Sequence, residues 1–376
     1  QAGFISAGMD VTLLGPLPTP GVSYLANSNN QVGLVISASH NLFEDNGIKF
    51  FNKNGQKFSE ELEKRIEVKL TEEMVPVDSI NLGKATRMSD AQERYIEFCK
   101  LPFTDLDLSD LNILLDCANG ATYSVAPKVF TELGANIETV AANPDGININ
   151  QNCGSTNPDF LKDQMSKGNY DMGIAFDGDG DRILIISSEG NILDGDDILF
   201  ILSQKLPPNS GVVGTLMTNK ALELHFQKNN IDFHRADVGD KYVLNELVNY
   251  EWLLGGEPSG HIICLDSAPT GDAIIAALKF LDSIKEMGFS IENSLKDFKK
   301  FPQTLINLKV DSPNRIIMDD KFWEKVTEIE TQLGDSGRVL IRPSGTEPLI
   351  RLMVESKESS LSENLCNSLA ELALKI

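Results

Sequence analysis

The chain has 376 residues, 41% of them apolar and 23% charged, with a formal net charge of -22 from 55 Asp and Glu against 33 Lys and Arg. At roughly 150 residues per domain this is a multidomain globular protein, and the composition excludes a disordered or fibrous chain. So acidic a surface argues against nucleic acid or an anionic membrane as the main partner, and it requires any phosphate site to be built locally from arginine, lysine and backbone N–H.

In chain order, QAGFISAGMDVTLLGP reads as the tail of a helix turning at Gly8 into a strand, as though the first domain lacks its N-terminal part. VGLVISA (32–38) reads as a buried strand. SDAQERYIEFCK carries Ser89 and Gln92 in capping-box spacing before a helix. A polar stretch near 101–109 marks a boundary, followed by the strand LNILLDC (111–117) and a helix ending at Gly134. DMGIAF (171–176) is the next strand, and LPPNSG (206–211) forbids continuing the helix before it. GVVGTLM (211–217) and EWLLGG (251–256) read as strands, and GDAIIAALKFLDSIKEMG as an amphipathic helix closed by Gly288. Beyond Phe301–Pro302 the order becomes strand, helix, two close strands and a final helix, which is α+β. The expected domains are therefore 1–104, 105–207, 208–302 and 303–376, with largely parallel α/β layers in the first three. The longest apolar stretches are strand-sized, and the five scattered cysteines form no CxxC pair, which fits a reduced cytoplasmic protein.

Three of these strands run into polar, glycine-containing loops. AFDGDGDRI places Asp177, Asp179 and Asp181 in alternation, a crowding of like charge that suits a hard divalent cation. An EF-hand would need Gly and Glu at its sixth and twelfth positions, where this chain has Arg182 and Ser188. A solvated acidic turn is the plain alternative. Arg182 offsets the residual charge and suits a phosphate oxygen. In VISASHNLFEDNGIKFF, Ser37, Ser39 and Asn41 serve equally well as helix caps. Beside a carboxylate-held cation, however, Ser39 suits phosphoryl transfer, with Lys49 returning to the site as a proton carrier and a surface lysine as its alternative. GEPSGH sets Glu257 and Ser259 two apart, a pair fitted to sugar hydroxyl or amino groups, and holds His261, one of four histidines. RPSGTEPLIR offers Arg342, Ser344, Gly345 and Thr346 as a cradle for a phosphate dianion, with Arg351 adding charge, or else an ordinary strand-connecting turn.

Together SASHN, DGDGDR, GEPSGH and RPSGTEPLIR resemble the four signature loops of the α-D-phosphohexomutases, in order and over essentially the whole chain. YIEFCK, DCANGATYS, VGTLMTN, VGDKYVL and RPSGTEPLIRLM are most similar to the bacterial phosphoglucosamine mutase branch. The resemblance implies three similar α/β/α domains with mixed sheets and a smaller α+β C-terminal domain around a central cleft. It implies interconversion of glucosamine 6-phosphate and glucosamine 1-phosphate, through a phosphoserine enzyme and glucosamine 1,6-bisphosphate as intermediate and activator, for UDP-N-acetylglucosamine and the cell wall. Ser39 aligns with the phosphoserine, and Asp177, Asp179 and Asp181 with the ligands of one Mg2+ per site, to which Ser39 phosphate adds an oxygen. Glu257, Ser259 and Lys241 align with sugar-contacting positions, and Arg342, Ser344, Gly345, Thr346 and Arg351 with the distal phosphate clamp. Lys49, His261 and Arg182 join Ser39 as catalytic positions. The implied partners are small sugar phosphates, without nucleic acid or membrane, and the implied state is a monomer or homodimer. Two departures stand out. Leu42 replaces the family's proline, and members begin about sixty residues earlier, over a segment that carries a GTDGIRG-like loop with an active-site arginine. A phosphoglucomutase or phosphomannomutase of the same superfamily is the nearest alternative, and a catalytically silent sugar-phosphate sensor the one from another class.

Overall fold

The computed structural model describes residues 1–310, 312–343 and 348–376. The first unit runs α1 (Ala2–Ser6), β1 (Val11–Leu13), α2 (Thr19–Ser28), β2 (Gly33–Ser37), β3 (Gly47–Phe51), α3 (Glu60–Lys69), β4 (Ala85–Arg87) and α4 (Ala91–Lys100). Here β1 pairs parallel with β4, while β2 and β3 form an antiparallel hairpin. The run 32–38 is therefore not a doubly buried strand. Ile36 and its cross-strand partner Ile48 are 69% and 58% exposed, because β2 packs on one side only, against α2. Apolar runs look alike whether one face is covered or two. Nor does the Ser89–Gln92 capping box form: Asp90 precedes the helix, and Gln92 donates to the Pro16 carbonyl (3.1 Å) instead.

The second unit comprises β5 (Asn112–Asp116), α5 (Ala126–Glu132), β6 (Asn136–Val140), α6 (Pro158–Met165), β7 (Met172–Phe176), β8 (Ile183–Ser187) and β9 (Ile192–Leu193), and α7 (Gly195–Ser203) leads from it into the third. Its sheet has the order β6-β5-β7-β8-β9, parallel through β7 and antiparallel beyond. All ten residues of β7 and β8 are buried, so layers cover both faces of the sheet centre. Gly134 (φ 103°) ends α5 as expected.

The third unit contains β10 (Gly211–Thr215), α8 (Lys220–Lys228), β11 (Asp232–Ala236), α9 (Asp240–Tyr250), β12 (Leu254–Gly256), β13 (Ile262–Cys264), α10 (Ala273–Ile284) and α11 (Ile291–Leu295). Its sheet repeats the second unit's plan, β11-β10-β12 parallel and β13 antiparallel to β12. Strand β12 starts only at Leu254, because Glu251 takes the left-handed conformation (φ 57°) that ends α9. Helix α7, which precedes the 206–211 stretch, packs on β12 and α10.

The repeated plan positions the site. Loops 38–46, 177–182 and 257–261 each connect a strand to its antiparallel neighbour, in β2–β3, β7–β8 and β12–β13. They are hairpin connections rather than βα crossovers, a distinction that apolar periodicity does not carry.

The fourth unit is β14 (Gln303–Lys309), α12 (Pro313–Ile317), α13 (Asp320–Leu333), β15 (Gly337–Pro343), β16 (Leu349–Ser356) and α14 (Ser359–Ala373), an antiparallel sheet in the order β14-β16-β15. It has its own apolar core, with Phe322, Val326, Ile329 and Leu352, whereas one continuous core runs through the other three units. Polar contacts dock it on the third unit. Arg338 pairs with buried Glu355 (2.8 Å) and donates to the Leu216 and Thr218 carbonyls (2.7 and 2.8 Å). All five cysteines are buried thiols, and no helix among the described residues is long and apolar enough to cross a membrane.

A buried acid in α7 gives a pH prediction. Burial, and next the Asp194 charge, push the Asp196 carboxyl up from 3.8 to about 8, while Lys300 is held by Asp194 and Asp197 (both 2.6 Å). The folded chain keeps this proton up to about pH 8, whereas the unfolded chain releases it near 3.8. Across that window the folded state binds more protons, so this group's contribution to stability declines as pH rises. Asp196→Asn should melt close to the parent near pH 4 and increasingly above it as pH rises to 8.5, as read by thermal denaturation. Equal melting at both values would contradict the buried neutral acid.

Candidate active site

Ser39 sits just past the end of β2 with φ 53°, a left-handed backbone that a non-glycine residue holds only when its surroundings fix it. The Ser37 hydroxyl accepts the Ser39 N–H (2.9 Å) rather than capping a helix. Asn150 of the second unit donates its side-chain amide to the Ser39 and Asn41 carbonyls (2.8 and 2.7 Å). Lys49, on β3, reaches Ser39 Oγ at 3.4 Å, Asp179 Oδ2 at 2.6 Å and Asp181 Oδ2 at 3.1 Å. Burial alone would lower the Lys49 pKa, but Asp181 and Asp179 outweigh it and hold the ammonium charged. His40 Nδ1 lies 3.5 Å from Ser39 Oγ, and burial followed by the Arg182 charge keeps its pKa below the ordinary histidine value.

Carboxylate oxygens of Asp177, Asp179 and Asp181 lie within 4.8 Å of one another, and all three residues are buried. Asp177 Oδ1 accepts the Asp181 and Arg182 N–H groups (3.0 and 3.1 Å), so the loop folds around its own first aspartate. Burial and the facing charges of Asp181 and Asp179 raise the Asp177 pKa; His261 and Lys49 hold Asp181 down against its burial. Asp177 Oδ2, Asp179 Oδ1 and Asp181 Oδ1 are buried without a hydrogen-bond partner among the described residues. Three orphaned carboxylate oxygens in one cluster fit a hard divalent cation, which accepts oxygen ligands and offsets their mutual repulsion.

All three units grip this loop. Thr19, first residue of α2, donates its N–H to the Asp179 carbonyl (2.8 Å) and its hydroxyl to the Asp179 carboxylate. Ala273 N–H at the start of α10 reaches the Gly180 carbonyl (3.1 Å), and Ile183 N–H reaches that of Gly260 (3.0 Å).

The loop 257–261 brings His261 between two carboxylates, Nδ1 3.7 Å from Asp181 and Nε2 3.7 Å from Asp240. Asp240 in turn pairs with Lys57 of the first unit. Glu257 is buried and accepts the Gly239 N–H (2.9 Å), while Ser259 is exposed. Lys241 pairs with Glu60 of the first unit and lies 4.9 Å over the Tyr242 ring. Arg182 is half-buried, its Nε without a partner among the described residues. Arg342 and Arg351 face each other as register partners on β15 and β16, a like-charge pairing that an anion would relieve. Ser344, Gly345 and Thr346 lie outside the described residues. Thr19, Asn150 and Asp240 escaped the reading of the sequence. Only Asp240, within VGDKYVL, lay in a stretch already singled out.

Hairpins of three units bring a serine, a lysine, a histidine and three carboxylates together on a repeated α/β frame, an arrangement suited to phosphoryl transfer. Family models match the chain from end to end: "Phosphoglucomutase/phosphomannomutase, alpha/beta/alpha domain I" over 1–75, domain II over 93–190, domain III over 194–301 and the C-terminal domain over 305–372. The chain belongs to the phosphoglucomutase/phosphomannomutase family. It is 46% identical over 386 residues to the phosphoglucosamine mutase of Legionella pneumophila (strain Corby), covering 100% of this chain and 85% of that one. A solved phosphoglucomutase/phosphomannomutase family protein from Burkholderia thailandensis superposes with a TM-score of 0.81 at 23% identity, over 99% of this chain and 84% of the other. Aspergillus fumigatus N-acetylphosphoglucosamine mutase, solved in complex with GlcNAc-6P and magnesium, superposes at 0.73 with 18% identity, over 95% and 92%. At these identities the structural likenesses bear on the fold.

Proposed function

We propose that this chain interconverts glucosamine 6-phosphate and glucosamine 1-phosphate, with Ser39 as the phosphoryl carrier. The observation that carries the reading is Lys49, whose ammonium reaches both Ser39 Oγ (3.4 Å) and the carboxylates of Asp179 (2.6 Å) and Asp181 (3.1 Å). A hydroxyl, a fixed cation and a metal-fitting cluster thus share one point. The 46% identity to a phosphoglucosamine mutase supports glucosamine as the sugar.

In this reading phosphorylated Ser39 meets the free hydroxyl of the bound sugar phosphate. The sugar oxygen attacks phosphorus, the P–Oγ bond breaks, and the hydroxyl proton passes to a neighbouring base. The resulting 1,6-bisphosphate turns end for end. Its other phosphoryl then returns to Ser39 Oγ, and a proton returns to the freed sugar oxygen. Asp177, Asp179 and Asp181 would hold a magnesium ion, which when bound would neutralise phosphoryl charge. Lys49 and Arg182 add fixed positive charge, and the two site histidines, His40 and His261, are the groups suited to carry the proton. Glu257, Ser259 and Lys241 orient the sugar, while Arg342 and Arg351, with Ser344, Gly345 and Thr346, hold the phosphate that is not reacting. Holding the sugar by either end lets one serine serve both positions.

The test is turnover of glucosamine, glucose and mannose phosphates, primed with the matching 1,6-bisphosphate. Glucosamine 1-phosphate should lead in kcat/KM, and EDTA should lower turnover by about 100-fold or more until Mg2+ is restored. Preference for a glucose or mannose phosphate would reassign the sugar. Full activity in EDTA would remove the cation from the account.

A further inference from the structure

We infer that Asn150 is the positioning residue of the phosphoryl-carrying serine, an inference that rests on the reading of Ser39 given above. Asn150 lies in the asparagine-rich connection after β6, 111 residues from Ser39, and is 7% exposed. Its own backbone is left-handed (φ 56°) and anchored by its N–H on the Ala118 carbonyl (2.8 Å). Both amide hydrogens are spent on one task, the carbonyls of Ser39 (2.8 Å) and Asn41 (2.7 Å). Reversing the amide would set Oδ1 against two carbonyl oxygens, so donor chemistry fixes its orientation.

The consequence falls on the nucleophile. Ser39 holds φ 53°, with its N–H taken by Ser37 Oγ (2.9 Å) and its carbonyl by Asn150 (2.8 Å). Clamping the peptide groups on both sides fixes the Cα–Cβ bond and thereby the line along which Oγ meets Lys49. The metal loop closes on the same point: a Cβ on Gly178 would stand 2.6 Å from the Ser39 carbonyl oxygen and 2.7 Å from Asn150 Nδ2. Asn150 therefore couples the second unit, which carries the carboxylates, to the serine of the first. Chemistry that depends on this alignment weakens steeply with small displacements, about 100-fold for an ångström.

The test uses the whole chain with Asn150→Asp, which keeps the shape but turns a double donor into an acceptor facing two carbonyls, and with Asn150→Ala. Both should lower kcat by about 100-fold and slow phosphoryl uptake onto Ser39 from glucosamine 1,6-bisphosphate in parallel. KM for the sugar phosphate should stay within about threefold, and both variants should remain folded, with melting lowered by the two lost buried hydrogen bonds. Variants with parental kcat, or ones that lose activity through KM alone, would overturn the assignment. Loss of the fold in both variants would overturn it too, by giving Asn150 to general stability. A parent that takes no phosphoryl on Ser39 would instead refute the reading of the site beneath it.

Discussion

Ser39→Ala should reduce mutase turnover by roughly 10⁴-fold or more while leaving the chain folded. The expectation follows from what the hydroxyl does and does not touch. The loop is held by backbone groups: the Ser39 N–H on Ser37 Oγ, and the Ser39 carbonyl under Asn150. Ser39 Oγ contributes only the longer contacts, 3.4 Å to Lys49 and 3.5 Å to His40. Removing one oxygen therefore takes away the phosphoryl acceptor and little of the architecture. Lys49 is held charged by Asp181 and Asp179 and does not replace a neutral nucleophile. Turnover in a coupled assay and thermal melting read the two halves of the prediction. Activity near the parent's would show that another group carries the phosphoryl.

Gly178→Ala should lower kcat by about 100-fold without removing any chemical group from the site. A Cβ there would stand 2.6 Å from the Ser39 carbonyl oxygen, 2.6 Å from Ile149 Cδ1 and 2.7 Å from Asn150 Nδ2. Ile149 can swing aside, but the Ser39 carbonyl is backbone and its partner Asn150 is buried. The serine and carboxylate loops must therefore separate, at an overpacking cost of about 1–3 kcal/mol. Asp177, Asp179 and Asp181 keep their mutual arrangement, so Mg2+ binding followed by calorimetry should change little. Parental turnover in this variant would contradict the close apposition of the two loops.

Much of this frame is legible in the sequence because its signals are local. DMGIAF reads as a strand that runs straight into DGDGDR, and residues 172–176 of it form β7, buried throughout. Gly134 ends its helix through positive φ as its position suggests, whereas α10 stops at Ile284 and Gly288 caps the short 3₁₀ turn 285–287 that follows. What stayed hidden depends on partners distant in the chain. Thr19 reaches Asp179 across 160 residues and Asn150 reaches Ser39 across 111, and neither carries a mark in its own neighbourhood. The facing of Arg342 and Arg351 needs the register of β15 against β16, which alternation alone leaves open. Strand β2 has the local pattern of a core strand, and in this chain it pairs with β3.

The central claim is that a single side-chain oxygen, set against an acidic cation site, carries phosphate between the two ends of an amino sugar. Its most direct test is intact mass and peptide mapping of the whole chain after brief exposure to glucosamine 1,6-bisphosphate and Mg2+. The account predicts one phosphoryl group per chain, on the peptide containing Ser39, discharged by adding excess glucosamine 1-phosphate. Mutase turnover with that peptide unmodified, or with the label on another residue, would contradict it.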